Sequence, residues 1–262
     1  MSASIVIRCV GRERLFSGVL QNLLRQTAAP SEILIVMDSK SAEETRYVRR
    51  HLERYPKCRL LTFSHEDFSH PYSANLGVAH AGEELVCMTN GHSLPVSYNW
   101  LERGLKHFDD ENVAGVSGFF LPSSEGLGKN LFYLVEGPMK QINWISTINC
   151  VIRKSRWKEY PFDENLPGII PETREYGGED YDWTLEMLSR GYKIVMDAEF
   201  SVIHFHESDF IFEIIRNLRN YFTYKRLREK IKNIKRPRRS FRLLTEPHTN
   251  TATHLSLKTD QR

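Results

Sequence analysis

The run Glu32-Ile33-Leu34-Ile35-Val36-Met37-Asp38-Ser39-Lys40-Ser41 is apolar almost without interruption for the length of one strand, then turns polar. A strand with one wet face alternates. A strand covered on both faces does not, so this run belongs inside a parallel sheet flanked by helices. The neighbouring segments keep that rhythm. Ser4–Cys9 is a short β-rich run, and Arg14–Gln26 has helical spacing through Leu15, Val19 and Leu23. Glu43–Tyr55 is charged and helical, Cys58–Phe63 strand-like, Ser73–Ala81 a short helix and Glu84–Thr89 a further buried strand. Tyr98–Phe108 predicts a helix and Val113–Phe120 another strand. Strand, helix, strand at this spacing predicts an α/β fold with a mostly parallel sheet and right-handed crossovers. Ligands of such sheets bind beyond the carboxyl ends of the strands. That directs attention to Val10–Arg14, Asp38–Ser41 and Thr89–Pro95.

The second half is less regular. Leu121–Asn143 is rich in Gly, Ser and Pro and reads as loops. Thr147–Ile152 predicts a strand, Asp180–Arg190 a helix ending at Gly191, and Lys193–Met196 and Ser201–His204 two closing strands. From Phe210 the pattern changes. Ile211, Ile214, Leu218, Tyr221, Tyr224, Leu227, Ile231 and Ile234 recur every three or four residues, an amphipathic helix that Pro237 stops. The expected organisation is one domain over 1–207, a basic amphipathic helix over 208–236, and a polar tail without fixed structure over 237–262.

A net charge of +3 hides an asymmetry: residues 225–262 carry 12 Lys/Arg against 3 Asp/Glu, leaving 1–224 at about −6. A basic helix on an acidic body is either a solvated cover for the core or an attachment to an anionic surface such as a membrane. Nucleic-acid binding is not expected, since the body is acidic and lacks an aromatic-basic stacking platform. Cys9, Cys87 and Cys150 lie in apolar runs, as small core hydrophobes do, and no CxxC pair suggests a zinc site. Met1-Ser-Ala-Ser-Ile-Val-Ile-Arg enters a strand at once, so no signal peptide is expected. No apolar run approaches the roughly 18 residues that span a bilayer. The expected location is the cytoplasm or, where residues 208–239 attach to an anionic membrane, its cytoplasmic face.

Chemistry concentrates in Gly177-Gly178-Glu179-Asp180-Tyr181-Asp182-Trp183 and, further on, His204-Phe205-His206. The first places paired carboxylates at the mouth of a helix; the second delivers imidazoles on a strand. Together they suit a general base beside a metal or phosphate site. Both acids can also cap the helix, since negative charge favours its N-terminus.

Four stretches in order resemble the family two glycosyltransferases, enzymes of the GT-A fold, over roughly residues 4–206. They are Ile33–Ser41; Asn75-Leu-Gly-Val-Ala-His-Ala-Gly-Glu-Glu-Leu-Val leading into Asn90-Gly-His-Ser-Leu-Pro95 and Trp100-Leu101; Ile152-Arg-Lys-Ser-Arg-Trp157 with Pro161-Phe-Asp-Glu164; and Gly178-Glu-Asp180, Gly191-Tyr and His204. The resemblance implies a GT-A-like (Rossmann-like) fold and transfer of a sugar from a nucleotide-diphosphate sugar to a hydroxyl of a glycan, polysaccharide or lipid-linked acceptor, with inversion. It implies Asp180 as the base, with Glu179 orienting the acceptor or the base. Asp38 would accept hydrogen bonds from the base or ribose, or else cap the following helix. Asn75, with Gly77, would lie below the donor or only permit a tight strand-to-helix junction. Asn90, Gly91 and His92 would meet the donor, and Arg8, Arg12 and Arg14 flank the first loop, where a diphosphate or base could lie, Arg8 as a donor contact. Trp144 and Trp183 would either stack on sugar rings or pack in the core.

One departure stands out. The family's Asp-x-Asp motif is here Asn90-Gly91-His92, without a carboxylate. It is similar to the Asp-x-His of polypeptide N-acetylgalactosaminyltransferases, where a later His after a Gly-Gly-Glu segment completes a metal site. By that likeness His92 and His204 hold Mn²⁺ (or Mg²⁺), with donor phosphates in the other positions. The rival is metal-free operation, with His92 and basic residues neutralising the phosphates. Two other readings stay open. One is a non-catalytic, glycosyltransferase-like binding protein. The other is a nucleotidyltransferase, disfavoured because Gly11-Arg-Glu-Arg14 is too poor in glycine for a phosphate loop.

Overall fold

A computed structural model describes residues 1–10, 16–122, 144–171 and 173–205, together with 215, 218, 221–223, 225–227 and 229. In chain order the elements are β1 (Ala3–Val10), α1 (Phe16–Leu24), β2 (Glu32–Ser39), α2 (Ala42–Leu52), β3 (Cys58–Ser64), α3 (His70–His80), β4 (Leu85–Asn90), β5 (Ser93–Pro95) and α4 (Trp100–Leu105). They continue with β6 (Val113–Ser117), β7 (Phe120–Pro122), β8 (Asn149–Arg153), α5 (Lys154–Glu159), α6 (Leu166–Ile169), α7 (Thr173–Tyr176), α8 (Glu179–Ser189), β9 (Lys193–Met196) and β10 (Val202–His204).

Seven strands form one sheet in the order β3-β2-β1-β4-β8-β6-β9. All share a direction except β8, which runs antiparallel to both β4 and β6. The expected α/β, mostly parallel architecture is therefore present. The apolar runs explain it. Ile5 and Ile7 of β1, with Ile33, Ile35 and Met37 of β2, turn to one face against Val19, Leu20 and Leu23 of α1 and Trp100 and Leu101 of α4. Val6, Leu34 and Val36 turn to the other, among Val78 of α3, Trp157 of α5 and Trp183 and Met187 of α8. Both faces are dry, so the strands do not alternate.

The order reverses between β1 and β4, and a crevice at such a switch point is where open α/β sheets bind ligands. A second, three-stranded sheet, β5-β10-β7, stands beside it. The single strand expected over Val113–Phe120 is in fact two. The strand breaks at Gly118, where an added Cβ would collide with the Phe200 carbonyl oxygen, and the chain crosses from the large sheet to the small one. The helix expected over Tyr98–Phe108 is α4 followed by a 3₁₀ turn at Lys106–Asp109. The helix expected from Ser73 starts earlier, at His70, because Ser69 accepts the Tyr72 N–H as N-cap and Pro71 suits the first turn.

The predicted loop at 123–143 and the tail at 237–262 lie outside the described residues. Of the predicted 208–236 helix, residues 215, 218, 221–223, 225–227 and 229 are described, and they are helical. Ile215, Leu218, Tyr221 and Phe222 are exposed, while Leu227 is buried with Leu166, Ile170 and Tyr181. Among the described residues no helix is long and apolar enough to cross a membrane.

Candidate active site

Gly177 and Gly178 enter α8 with φ of +76° and +115°, a backbone other residues adopt only under strain. This turn sets Glu179, Asp180 and Asp182 in the first turn of α8, where the helix dipole favours negative charge. All three are buried. Asp182 accepts the Tyr160 hydroxyl at 3.0 Å and belongs to the packing. Asp180 is held by backbone: its Oδ1 accepts the Tyr181 N–H at 2.8 Å and its Oδ2 the Thr147 N–H at 3.3 Å. Glu179 Oε1 accepts the Thr147 hydroxyl at 3.1 Å and lies 3.6 Å from the Arg8 guanidinium. Its Oε2 is buried without a hydrogen-bond partner. Burial pushes the Asp180 carboxyl up to about 7, and the charge of Glu179 adds to that rise. The hydrogen bonds from Tyr181 and Thr147, and the charge of Arg8, pull the other way.

The second group is built by the small sheet. His204 on β10 pairs with Ser93 on β5, which brings the His92 and His204 rings to 4.7 Å between centroids. Ser93 donates its hydroxyl to Asn90 Oδ1 at 2.5 Å, so toward His204 Nδ1, 2.8 Å away, it can only accept. With the proton on Nδ1, Nε2 would carry the lone pair that a cation needs, the support that metal-binding histidines commonly have. Two imidazoles are a chemically suitable pair for a divalent cation, but among the described residues no group of three His, Cys, Asp or Glu could hold one. Gly91 donates its N–H to the Arg8 carbonyl at 3.0 Å, which ties this turn to β1.

The other expected residues are placed as follows. Asp38 ends β2, buried; its Oδ2 is 2.7 Å from His65 Nδ1, and its Oδ1 is buried without a partner. Thus Asp38 does not cap α2; Ser41 does. Asn75 does not face a ligand. It is fully buried, donating to the Phe162 carbonyl and Glu164 Oε1, and accepting from Trp157 Nε1 and the Phe162 N–H, all at 2.8–3.1 Å. Its amide is consumed in tying α3 to the segment after α5. Trp183 is in the core with no exposed surface, so it cannot stack on a sugar, whereas Trp144 lies edge-on to Tyr181. Arg153 donates to the carbonyls of Phe108, Asp110 and Val113, and Lys154 to those of Ala79 and Ala81. Both staple elements together rather than face solvent or an acceptor. Arg12, Arg14 and His206 lie outside the described residues. Sequence reasoning missed His65, Ser93 and Thr147. His65 follows β3, so the rule that directed attention past the other strands would have found it.

The family model described as Glycosyl transferase family 2 matches residues 4–157. A protein of Salmonella anatum described as O-antigen chain rhamnosyltransferase WbaN is 30% identical over 192 residues, which is 70% of this chain and 59% of that protein. The chain thus spans little more than half the length of that curated relative. Among solved structures, a mannosyltransferase of Pyrobaculum calidifontis, PcManGT, in complex with GDP-Man and Mn²⁺, superposes with a TM-score of 0.66 at 15% identity, over 90% of this chain and 65% of that one. TarS of S. aureus superposes with a TM-score of 0.57 at 13% identity, over 82% of this chain and 38% of that one. These likenesses are of fold, and with the family match and the site geometry they place this protein: the chain belongs to glycosyl transferase family 2.

Proposed function

We propose that the chain transfers a sugar from a nucleotide-diphosphate sugar to a hydroxyl of a glycan, polysaccharide or lipid-linked acceptor, with inversion. The observation that carries this reading is Asp180, a buried carboxyl pinned by two backbone N–H groups and tuned to give up or take a proton near neutral pH. A general base works best when its pKa lies near the working pH. Asp180 takes the proton of the acceptor hydroxyl as that oxygen attacks the anomeric carbon and the nucleoside diphosphate departs. Glu179, with one buried oxygen unsatisfied, orients the acceptor. Asp38, likewise with one buried oxygen unsatisfied, receives the base or ribose. His92 and His204 would hold Mn²⁺ or Mg²⁺, with Asn90 and Gly91 in the turn that faces the donor. Such a cation would neutralise the diphosphate as it leaves. The description of the Salmonella anatum relative as an O-antigen chain rhamnosyltransferase supports rhamnose as the sugar and an O-antigen chain as the acceptor.

Calorimetry with UDP, GDP and dTDP, each with Mn²⁺ and with EDTA, tests the donor site. One nucleotide binding in an Mn²⁺-dependent manner, with the dependence lost in His92→Ala, is the expected result. Binding unaffected by EDTA removes the metal and keeps the transferase. Asp180→Asn should lower kcat by roughly 10²- to 10⁴-fold while that nucleotide still binds. Unimpaired turnover in Asp180→Asn would remove the base assignment. Nucleotide binding without turnover by the native chain would favour the non-catalytic reading.

A further inference from the structure

Arg8 stands where a charged side chain is costly. It is in β1, a central strand, paired with Val36 of β2 on one side and Asn90 of β4 on the other, and its side chain is only 12% exposed. A guanidinium taken out of water needs partners. Arg8 finds them across the switch point. One terminal nitrogen donates to the Thr147 hydroxyl at 2.6 Å; the other donates to the His70 carbonyl at 3.4 Å and lies 3.6 Å from Glu179 Oε1. Thr147 passes this on: its hydroxyl, accepting from Arg8, donates to Glu179, while its backbone N–H donates to Asp180. The carbonyl of Arg8 meanwhile holds Gly91. One residue therefore touches both halves of the site; its two terminal nitrogens serve the carboxylate half, while its Nε is buried without a hydrogen-bond partner.

We propose that Arg8 is a positioning residue for the catalytic carboxylates, not a donor ligand: through Thr147 and Glu179 it fixes Asp180 in the orientation that receives the acceptor proton. A guanidinium that turned to a diphosphate would leave Glu179 buried without its counter-charge. The fork geometry matters as much as the charge, because two partners are held at once. Among the described residues, the charged and titratable groups around Asp180 and its neighbour Glu179 are Tyr181 and Asp182 on α8, Arg8 from β1, Cys150 from β8 and His70 from α3; of these the charges acting on Asp180 are Glu179 and Arg8. Arg8 is the cation among these, so its loss shifts the balance toward the protonated carboxyl. This inference rests on the transferase reading for its kinetic test, so a second test is made on the free protein.

Arg8→Gln and Arg8→Lys are compared with the native chain. In Arg8→Gln, kcat should fall roughly 10- to 100-fold. The donor KM should stay within about threefold. The acid limb of the pH–kcat profile should rise by about 1 pH unit, as expected for losing an opposite charge at this range. Arg8→Lys keeps the charge without the fork, so its limb should stay near the native position while kcat is still reduced. A donor KM or nucleotide Kd weakened tenfold or more, with the limb in place, would make Arg8 a donor ligand and overturn the proposal. So would unchanged kinetics in either variant. If Arg8→Gln does not fold, Arg8→Lys decides by the same split. Independently of sugar transfer, carboxyl ¹³C NMR of the free protein, with Asp180 assigned through Asp180→Asn, should show its midpoint rise in Arg8→Gln. If the native chain transfers no sugar, a midpoint that does not move still overturns the role of Arg8, and one that moves preserves it.

Discussion

Taking a carboxyl out of water and setting a second one beside it raises the pH at which it releases its proton. Asp180 experiences both, and the two backbone N–H groups it accepts only partly offset them. A base must be deprotonated to act. Activity is therefore expected to be low where Asp180 is protonated and to rise as pH passes through about 7. A pH–kcat profile checks this; an acid limb near the ordinary carboxylate range, about 4, would assign the proton to another group. Asn75 illustrates the opposite outcome for a polar residue. Four hydrogen bonds saturate its amide inside the core, so Asn75→Ala should cost about 2–4 kcal/mol of stability by leaving buried partners unpaired. Urea unfolding measures that loss, and nucleotide affinity of the folded fraction should be unchanged.

At the scale of elements, the catalytic turn is clamped from outside the sheet. An added Cβ at Gly178 would lie 2.7 Å from Leu227 Cδ1, and Leu227 is buried against Leu166, Ile170 and Tyr181. The C-terminal helix thus packs onto the residue that precedes Glu179 and Asp180. Leu227→Ala should destabilise the chain by about 2–5 kcal/mol, as deletion of a buried leucine does. If the clamp also holds the turn, kcat of the folded variant should fall with little change in nucleotide affinity. An equal stability loss with native kcat would restrict Leu227 to packing.

At the scale of the molecule, charge and apolar surface coincide on the C-terminal helix. Ile215, Leu218, Tyr221 and Phe222 are exposed, Lys225 and Arg226 follow them, and residues 225–262 carry a net +9. That combination suits the interface of an anionic membrane. Full-length protein should sediment with phosphatidylglycerol vesicles and not with neutral ones. The triple variant Lys225→Gln, Arg226→Gln, Arg228→Gln should bind roughly 100-fold more weakly, at about 1 kcal/mol per charge. Equal binding by both proteins would assign the helix to covering the core.

Residue type and period made the sheet legible, and they placed two acids at the mouth of a helix. Long apolar runs such as Ile33–Met37 and Val86–Met88 must be buried on both faces, and a Gly-Gly turn before Glu179-Asp180 sets carboxylates on a helix N-terminus. These are local properties, readable from period and residue type. Short elements were not legible: β5 has three residues and α6 and α7 four each, too few to show any period. Only the tertiary structure decided which polar residues face chemistry and which face one another. Asn75 and Arg8 have hydrogen-bond partners 87–89 and 139 residues away, in Phe162, Glu164 and Thr147. Hydrogen-bond saturation is set by what the fold brings within 3 Å, and sequence spacing carries no record of that distance.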